Sequence, residues 1–248
     1  MRHPAHKDWR RSYRQHCTLR EGETSFQVVV EETDLRVLAL ADLSSPLLDV
    51  VTRLRGELKG WIALHPEFRA SLTPLPVSEH APDIVRRMTA AAALAGVGPF
   101  AAVAGAVAQM AAEALVHLSA DLIVENGGDI YIFSRSPRVV GLLAEPEGGP
   151  GIGVRVASED CPVSLCASSA TIGHSLSLGQ GELAVVRARD GCLADAAATG
   201  LGNRLHDATS IEPALAWAAS LAPHGVEGAF VQCAGKLGLW GKMELEAV

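Results

Sequence analysis

The sequence is short of aromatics, which make up 4% of its 248 residues, and it has no surplus of positive charge. Lysine and arginine number 21 against 28 acids, a net charge of −7, and the pI is near 5.7. No global positive field therefore draws in nucleic acid or an anionic membrane surface, and neither is expected as a partner. The five cysteines (17, 161, 166, 192 and 233) form no Cys-x-x-Cys pair, and no histidine stands at zinc-finger spacing from them. Reduced, mostly buried thiols are expected. No apolar stretch follows the early basic residues Arg2, Lys7, Arg10, Arg11 and Arg14, so no secretory signal is read and a cytoplasmic location is expected. Those residues read as an exposed terminus, frayed over 1–8; contact with a phosphate ligand or an acidic partner is the other reading. Leucine-rich runs are also missing. Residues 88–112 carry no charge, but they are mainly alanine and glycine, and Gly96-Val97-Gly98-Pro99 interrupts them. Such a run suits close packing in a core better than a bilayer.

What is present suits one full core: 48% of the residues are apolar. Residues 27–30 and 35–40 read as strands, and Ser44-Ser45-Pro46 opens a helix with Leu47, Val50, Val51, Leu54, Leu58 and Trp61 at helical spacing. Further helices are expected from about Pro82, from Pro99 to about Leu118, around Asp195, and over 213–221. Strands are expected over 122–124, 130–133, 139–143, 152–156, 164–169 and 182–188, with a final hairpin of 229–233 and 237–245. Strands in runs with helices grouped between them predict an α+β fold, a single compact domain over 1–248 with Ala-rich helices packed on a mixed or antiparallel sheet. The apolar strand 37–40 and the C-terminal hairpin read as sheet edges that could pair in a homodimer.

Three segments could carry chemistry. In Ala194-Asp195-Ala196-Ala197-Ala198-Thr199-Gly200, the carboxylate and hydroxyl lie one turn apart on one helix face among side chains too small to block a ligand. Two hard oxygen donors suit Mg²⁺, which leaves its other positions to water and phosphate; the plain alternative is a solvated helix start. Asn126-Gly127-Gly128-Asp129 lies between two strands, where paired glycines let the backbone approach an anion or simply make a hairpin turn. Ser168-Ser169-Ala170-Thr171-Ile172-Gly173-His174 offers hydroxyls for phosphate oxygens and His174 as a proton donor. Ser168 or Ser169 with His174 would also serve a hydrolase, but the Gly-x-Ser-x-Gly elbow is missing. Gly96-Val97-Gly98-Pro99-Phe100-Ala101 matches a dinucleotide fingerprint in letters only, because the preceding residues read as helix and not strand.

These pieces resemble, in order, the ApbE-like family of FAD:protein FMN transferases: the Ala/Gly helix start Ala101-Ala102-Val103-Ala104-Gly105-Ala106, then Asn126–Asp129, the serine and histidine segment, and Asp195-x-x-x-Thr199. The stretch Gly173-His174-Ser175-Leu176-Ser177-Leu178-Gly179 before the Asp195 helix is most similar to a short branch of that superfamily. The resemblance covers about residues 85–205. It implies an ApbE-like, T-fold-like architecture and Mg²⁺ on Asp195, Thr199 and the backbone carbonyl near Ala101. It also implies FAD or a related flavin nucleotide near Gly127, Gly128 and Asp129, and His174 where the pyrophosphate is attacked. AMP would leave, and the acceptor would be a Ser or Thr of a partner protein. The chain departs from the family in carrying Ala104 where a Lys or another polar residue usually precedes the glycine, and in lacking a His-x-x-Asp-Pro segment. A partner for flavin stacking would be Tyr131 or Trp240. A non-catalytic flavin- or nucleotide-binding or assembly module of the same fold is the alternative.

Overall fold

A computed structural model describes residues 19–76, 78–142, 151–169 and 181–248. A hairpin of β1 (Thr24–Val30) and β2 (Thr33–Ala39) leads to α1 (Ser44–Leu64), the short α2 (Glu67–Ala70) and α3 (Asp83–Ala95). A single 3₁₀ turn, Pro99–Ala102, opens α4 (Val103–Leu115). Strands β3 (Leu122–Asn126), β4 (Asp129–Phe133), β5 (Arg138–Leu142), β6 (Ile152–Val156), β7 (Val163–Ser168) and β8 (Leu183–Ala188) precede α5 (Gly191–Gly202) and α6 (Ile211–Ser220). The chain ends in β9 (Val226–Cys233), β10 (Lys236–Gly241) and β11 (Glu244–Ala247).

Eight strands form one sheet in the order β1-β2-β3-β4-β7-β8-β9-β10, and β11-β6-β5 form a second; every pairing is antiparallel. Alternation along the strands explains the layering. Leu122, Val124, Tyr131, Cys166, Ala184, Val186, Ala229 and Val231 face the helices, while Ile123, Ile130, Ile132, Leu165, Leu183, Val185 and Phe230 face the small sheet through Val140, Leu142, Val154 and Val156. The central strands are therefore buried on both faces, which is why β3, β4 and β8 read as continuous apolar runs. The α+β expectation holds, in three layers.

The uncharged run 88–112 is core. It bends by 106° between α3 and α4, and no single helix among the described residues is long and apolar enough to cross a membrane. Alanines 91, 92, 95, 106, 108, 111 and 112 are all buried where these helices meet the sheet. Two expectations about edges need correction. Strand 37–40 is no edge: β2 pairs with β1 on one side and β3 on the other. The final hairpin is two elements, because only β10 pairs with β9; the chain then crosses to the small sheet and pairs as β11 with β6. The helix expected to reach Leu118 ends at Leu115. The terminus expected to be frayed over 1–8 lies outside the described residues.

Candidate functional site

Helices α4 and α5 cross where glycine permits it. A Cβ on Gly105 would lie 2.2 Å from the Gly191 carbonyl oxygen and 2.8 Å from Cβ of Asp195; one on Gly191 would lie 2.9 Å from the Gly105 carbonyl oxygen. No larger residue fits at this contact without displacing backbone. The close approach has a chemical use. The first turn of α4 has no side-chain cap of its own, so its early amides need a partner. The Gly105 N–H donates to Asp195 Oδ2 at 2.9 Å, and the Ala104 amide also supports this carboxyl. The positive end of α4 is thereby turned onto an acid of the neighbouring helix.

Asn126 and Asp129 are brought to the same region, and the other predicted residues take separate places. Asn126, the last residue of β3, donates through Nδ2 to the Ala104 carbonyl at 3.1 Å. Gly127 and Gly128 form a two-residue hairpin with φ of 68° and 111°, so at this level the plain turn reading is correct. The turn sets Asn126 opposite Asp129. Asp129 is buried, and its Oδ1 accepts the Ala167 N–H of β7 at 3.0 Å. Next along β7, Ser168 is buried with its hydroxyl unpartnered. Ser169 donates its hydroxyl to the Glu182 carbonyl at 2.5 Å. Thr199 is half-buried one turn beyond Asp195. The 3₁₀ turn that carries Ala101 packs against α5. Thr171 and His174 lie outside the described residues.

The electrostatics of this cluster are unusual. Burial raises the Asp129 carboxyl to about 7, against the partial support of the Ala167 amide and the Cys166 thiol, and the charge of Glu125 adds to the rise. Burial likewise pushes Asp195 well above the usual carboxylate range, and the charge of Asp129 raises it further despite the Gly105 and Ala104 amides. Cys166 feels both acids, and burial holds its thiol protonated. No lysine, arginine or histidine among the described residues pairs with Asp129 or Asp195. No group of three or more His, Cys, Asp or Glu able to hold a metal occurs among the described residues either, so a metal here would take a mixed set of oxygen donors.

Sequence reasoning passed over Gln109 and Cys166. Gln109 accepts the Gly191 N–H at 2.7 Å, and Cys166 Sγ lies 3.8 Å from the Gly191 carbonyl oxygen. A legible signal for Gln109 existed: it is the one side-chain amide in the alanine run that follows Gly105. The proposed stacking aromatics need correction. Tyr131 is buried beneath the helices, edge-on to Phe133 with ring centroids 5.5 Å apart. Trp240 stands on β10, separated from β7 by β8 and β9. Tyr131 shares the helix-facing side of β4 with Asp129 but is buried there, and strand order sets Trp240 three strands from β7, so neither ring is offered to a flavin.

Comparison with known proteins agrees with this fold. A family model described as "AbpE bacteria" matches residues 16–239. A UPF0280 protein of Methanocella arvoryzae is 44% identical over 186 residues, 75% of this chain and 76% of the relative. One of Methanocaldococcus jannaschii is 34% identical over 226 residues, 88% and 90% of the two chains. Among solved structures, the flavin transferase ApbE of Vibrio cholerae superposes with a TM-score of 0.56 at 11% identity, covering 89% of this chain and 97% of its own. The ApbE protein of Thermotoga maritima gives 0.58 at 12% identity, with the same coverage. At such identities the structural likeness speaks for the fold.

Proposed function

The chain belongs to the AbpE bacteria family, and on that premise we propose that it is a Mg²⁺-dependent enzyme acting on a flavin or a related phosphorylated nucleotide, by phosphoryl transfer with release of AMP. One observation carries the reading: two buried acids, Asp129 and Asp195, share a site built from backbone amides with no cationic side chain paired to them among the described residues. Buried carboxylates of this kind are costly, and a divalent cation supplies the missing charge. The donors suit Mg²⁺, which needs only one or two protein oxygens. Asp195 would hold it, with Thr199 and the Ala101 carbonyl as further donors. When bound, the ion would offset charge developing on the transferring phosphoryl group.

The remaining work falls to the chain. Asn126 holds the Ala104 carbonyl and with it the turn into α4. The Gly127-Gly128 hairpin offers a side-chain-free approach for a dinucleotide, oriented by Asp129. The buried Ser168 hydroxyl has its hydrogen bond still to give, and phosphate oxygens would take it; Ser169 and Thr171 would add to this, with His174 as proton donor. The acceptor would be a hydroxyl of a partner protein, and the setting the cytoplasm. Ala104 favours a second reading, a non-catalytic flavin- or nucleotide-binding module, because a methyl stands where the resembled enzymes carry Lys or another polar side chain.

Incubation with FAD, with and without Mg²⁺, separates these readings when AMP and FMN are followed by chromatography. Asp195→Asn is the matched control, since its amide oxygen still accepts the Gly105 N–H. Mg²⁺-dependent products that vanish in the variant are expected. FAD that binds and stays intact moves the function to the second reading, and a wild-type melting temperature indifferent to Mg²⁺ removes the metal from it.

A further inference from the structure

Helices α4 and α5 cap each other. Asp195 of α5 receives the Gly105 N–H near the start of α4 at 2.9 Å, and Gln109 of α4 receives the Gly191 N–H at the start of α5 at 2.7 Å. The second bond is anchored outward. Gln109 Nε2 donates to Glu113 Oε1 at 2.7 Å, and Arg87 Nη1 reaches Glu113 Oε2 at 2.9 Å while its Nε reaches Asp83 Oδ2 at 2.8 Å. Gln109 itself is 6% exposed, in a helix whose neighbouring residues are alanine, valine and methionine. A buried amide in such a setting is retained only when both its ends are satisfied, and here both are.

We propose that Gln109 is a positioning residue for Asp195. The reasoning is geometric. Residues 191 and 195 lie one turn apart on α5, and 105 and 109 lie one turn apart on α4, so the two bonds form opposite sides of one frame around the glycine contact. Gln109 fixes the first turn of α5 against α4, and this holds the Asp195 carboxyl on the Gly105 amide. Without it, two smooth glycine-lined helices would keep their packing but lose the polar peg that sets their register. The metal role of Asp195 belongs to the function proposed above, and the inference about metal affinity rests on that reading; the effect on the Asp195–Gly105 bond does not.

The test uses Gln109→Met, which keeps the volume and removes both hydrogen bonds. Amide hydrogen exchange reads the frame directly, because the Gly105 N–H has Asp195 as its acceptor. Exchange at Gly105 and Gly191 is expected to accelerate about tenfold or more, with β2 and α1 unaffected. Mn²⁺, used as the probe ion, is expected to bind on the order of 10–100-fold more weakly, the usual loss when a group supporting a ligand is removed. The swapped pair Gln109→Glu with Glu113→Gln restores an acceptor for Gly191 and a donor between the two positions, and should recover slow exchange at Gly105. Acceleration at Gly191 alone, with Gly105 exchange and Mn²⁺ affinity unchanged, overturns the proposal. Acceleration at both glycines in a protein whose wild type binds no Mn²⁺ upholds the positioning of Asp195 and removes the metal reading instead.

Discussion

Two of this molecule's clusters of buried charge are treated in opposite ways. Around Arg187, whose side chain is 1% exposed, the charges are paired: Nε donates to Glu227 Oε2 at 3.0 Å, Nη2 lies 2.7 Å from Asp160 Oδ2 without the alignment of a hydrogen bond, and Lys242 also grips Asp160. Burial pushes the Asp160 carboxyl up, yet Lys242 and Arg187 together hold it below its ordinary value. Around Asp195 and Asp129 no cation among the described residues answers, and both carboxyls rise. The fold pairs its structural charges in one place and, among the described residues, leaves two acids without a cation in another; that contrast is what motivates the proposed cation site.

The largest expected effect breaks the paired side. Arg187→Met leaves Asp160 and Glu227 facing one buried gap, and removal of one partner from such a cluster costs about 3–5 kcal/mol; urea unfolding measures it. On the other side the sign should reverse. Asp129→Asn or Asp195→Asn takes a disfavoured charge out of the core, so at pH 8 without metal each variant should melt a few degrees above the wild type and lose the wild type's response to Mg²⁺. A lower melting temperature for both would show that their charges are compensated after all.

The same contrast predicts a pH dependence. An acid whose folded value exceeds its unfolded one binds its proton more tightly when folded. Asp129, raised from 3.8 to about 7, therefore stabilises the fold fully below about pH 4, and this contribution drains away as pH rises toward 7. Asp160, held low, does the reverse and loses its contribution as the medium turns acid. Melting curves of the metal-free protein between pH 4 and 8 should show the neutral-side loss flatten in Asp129→Asn, and saturating Mg²⁺ should lift the neutral end most, since metal binding competes with the proton.

How much of this could be read from residues alone follows the range of each interaction. Layer and element order were legible because strand alternation and Ala-rich helical spacing are local signals. Asp195, Asn126 and Asp129 stood out because each sits in a short motif, though the motifs alone did not decide between a ligand site and a plain turn or helix start. Strand 37–40 was misplaced as an edge because pairing depends on what lies 85 residues further on, in β3. The proposed stacking aromatics fell to long-range packing too, since composition says nothing of how deeply the helices bury Tyr131 or how many strands separate Trp240 from β7. Gln109 needed the α4–α5 crossing, set by two glycines 86 positions apart, before its side chain had any meaning.

The smallest expected effects sharpen the comparison within the site. At Gly105 the added Cβ of an alanine would meet the Gly191 carbonyl oxygen at 2.2 Å, so Gly105→Ala must push the helices apart, at about 1–3 kcal/mol for such overpacking. At Gly127 an added Cβ meets nothing within 4 Å, and only the φ of 68° resists it, worth about 1 kcal/mol. The two substitutions thus separate contact from conformation. Gly105→Ala should weaken Mn²⁺ binding as well as stability, because it displaces the amide that holds Asp195. Gly127→Ala should leave Mn²⁺ affinity intact and, if the hairpin is where a dinucleotide approaches, weaken FAD binding alone. Equal losses of Mn²⁺ affinity in both variants would mean that the hairpin and the helix crossing form a single metal site, not two halves with separate tasks.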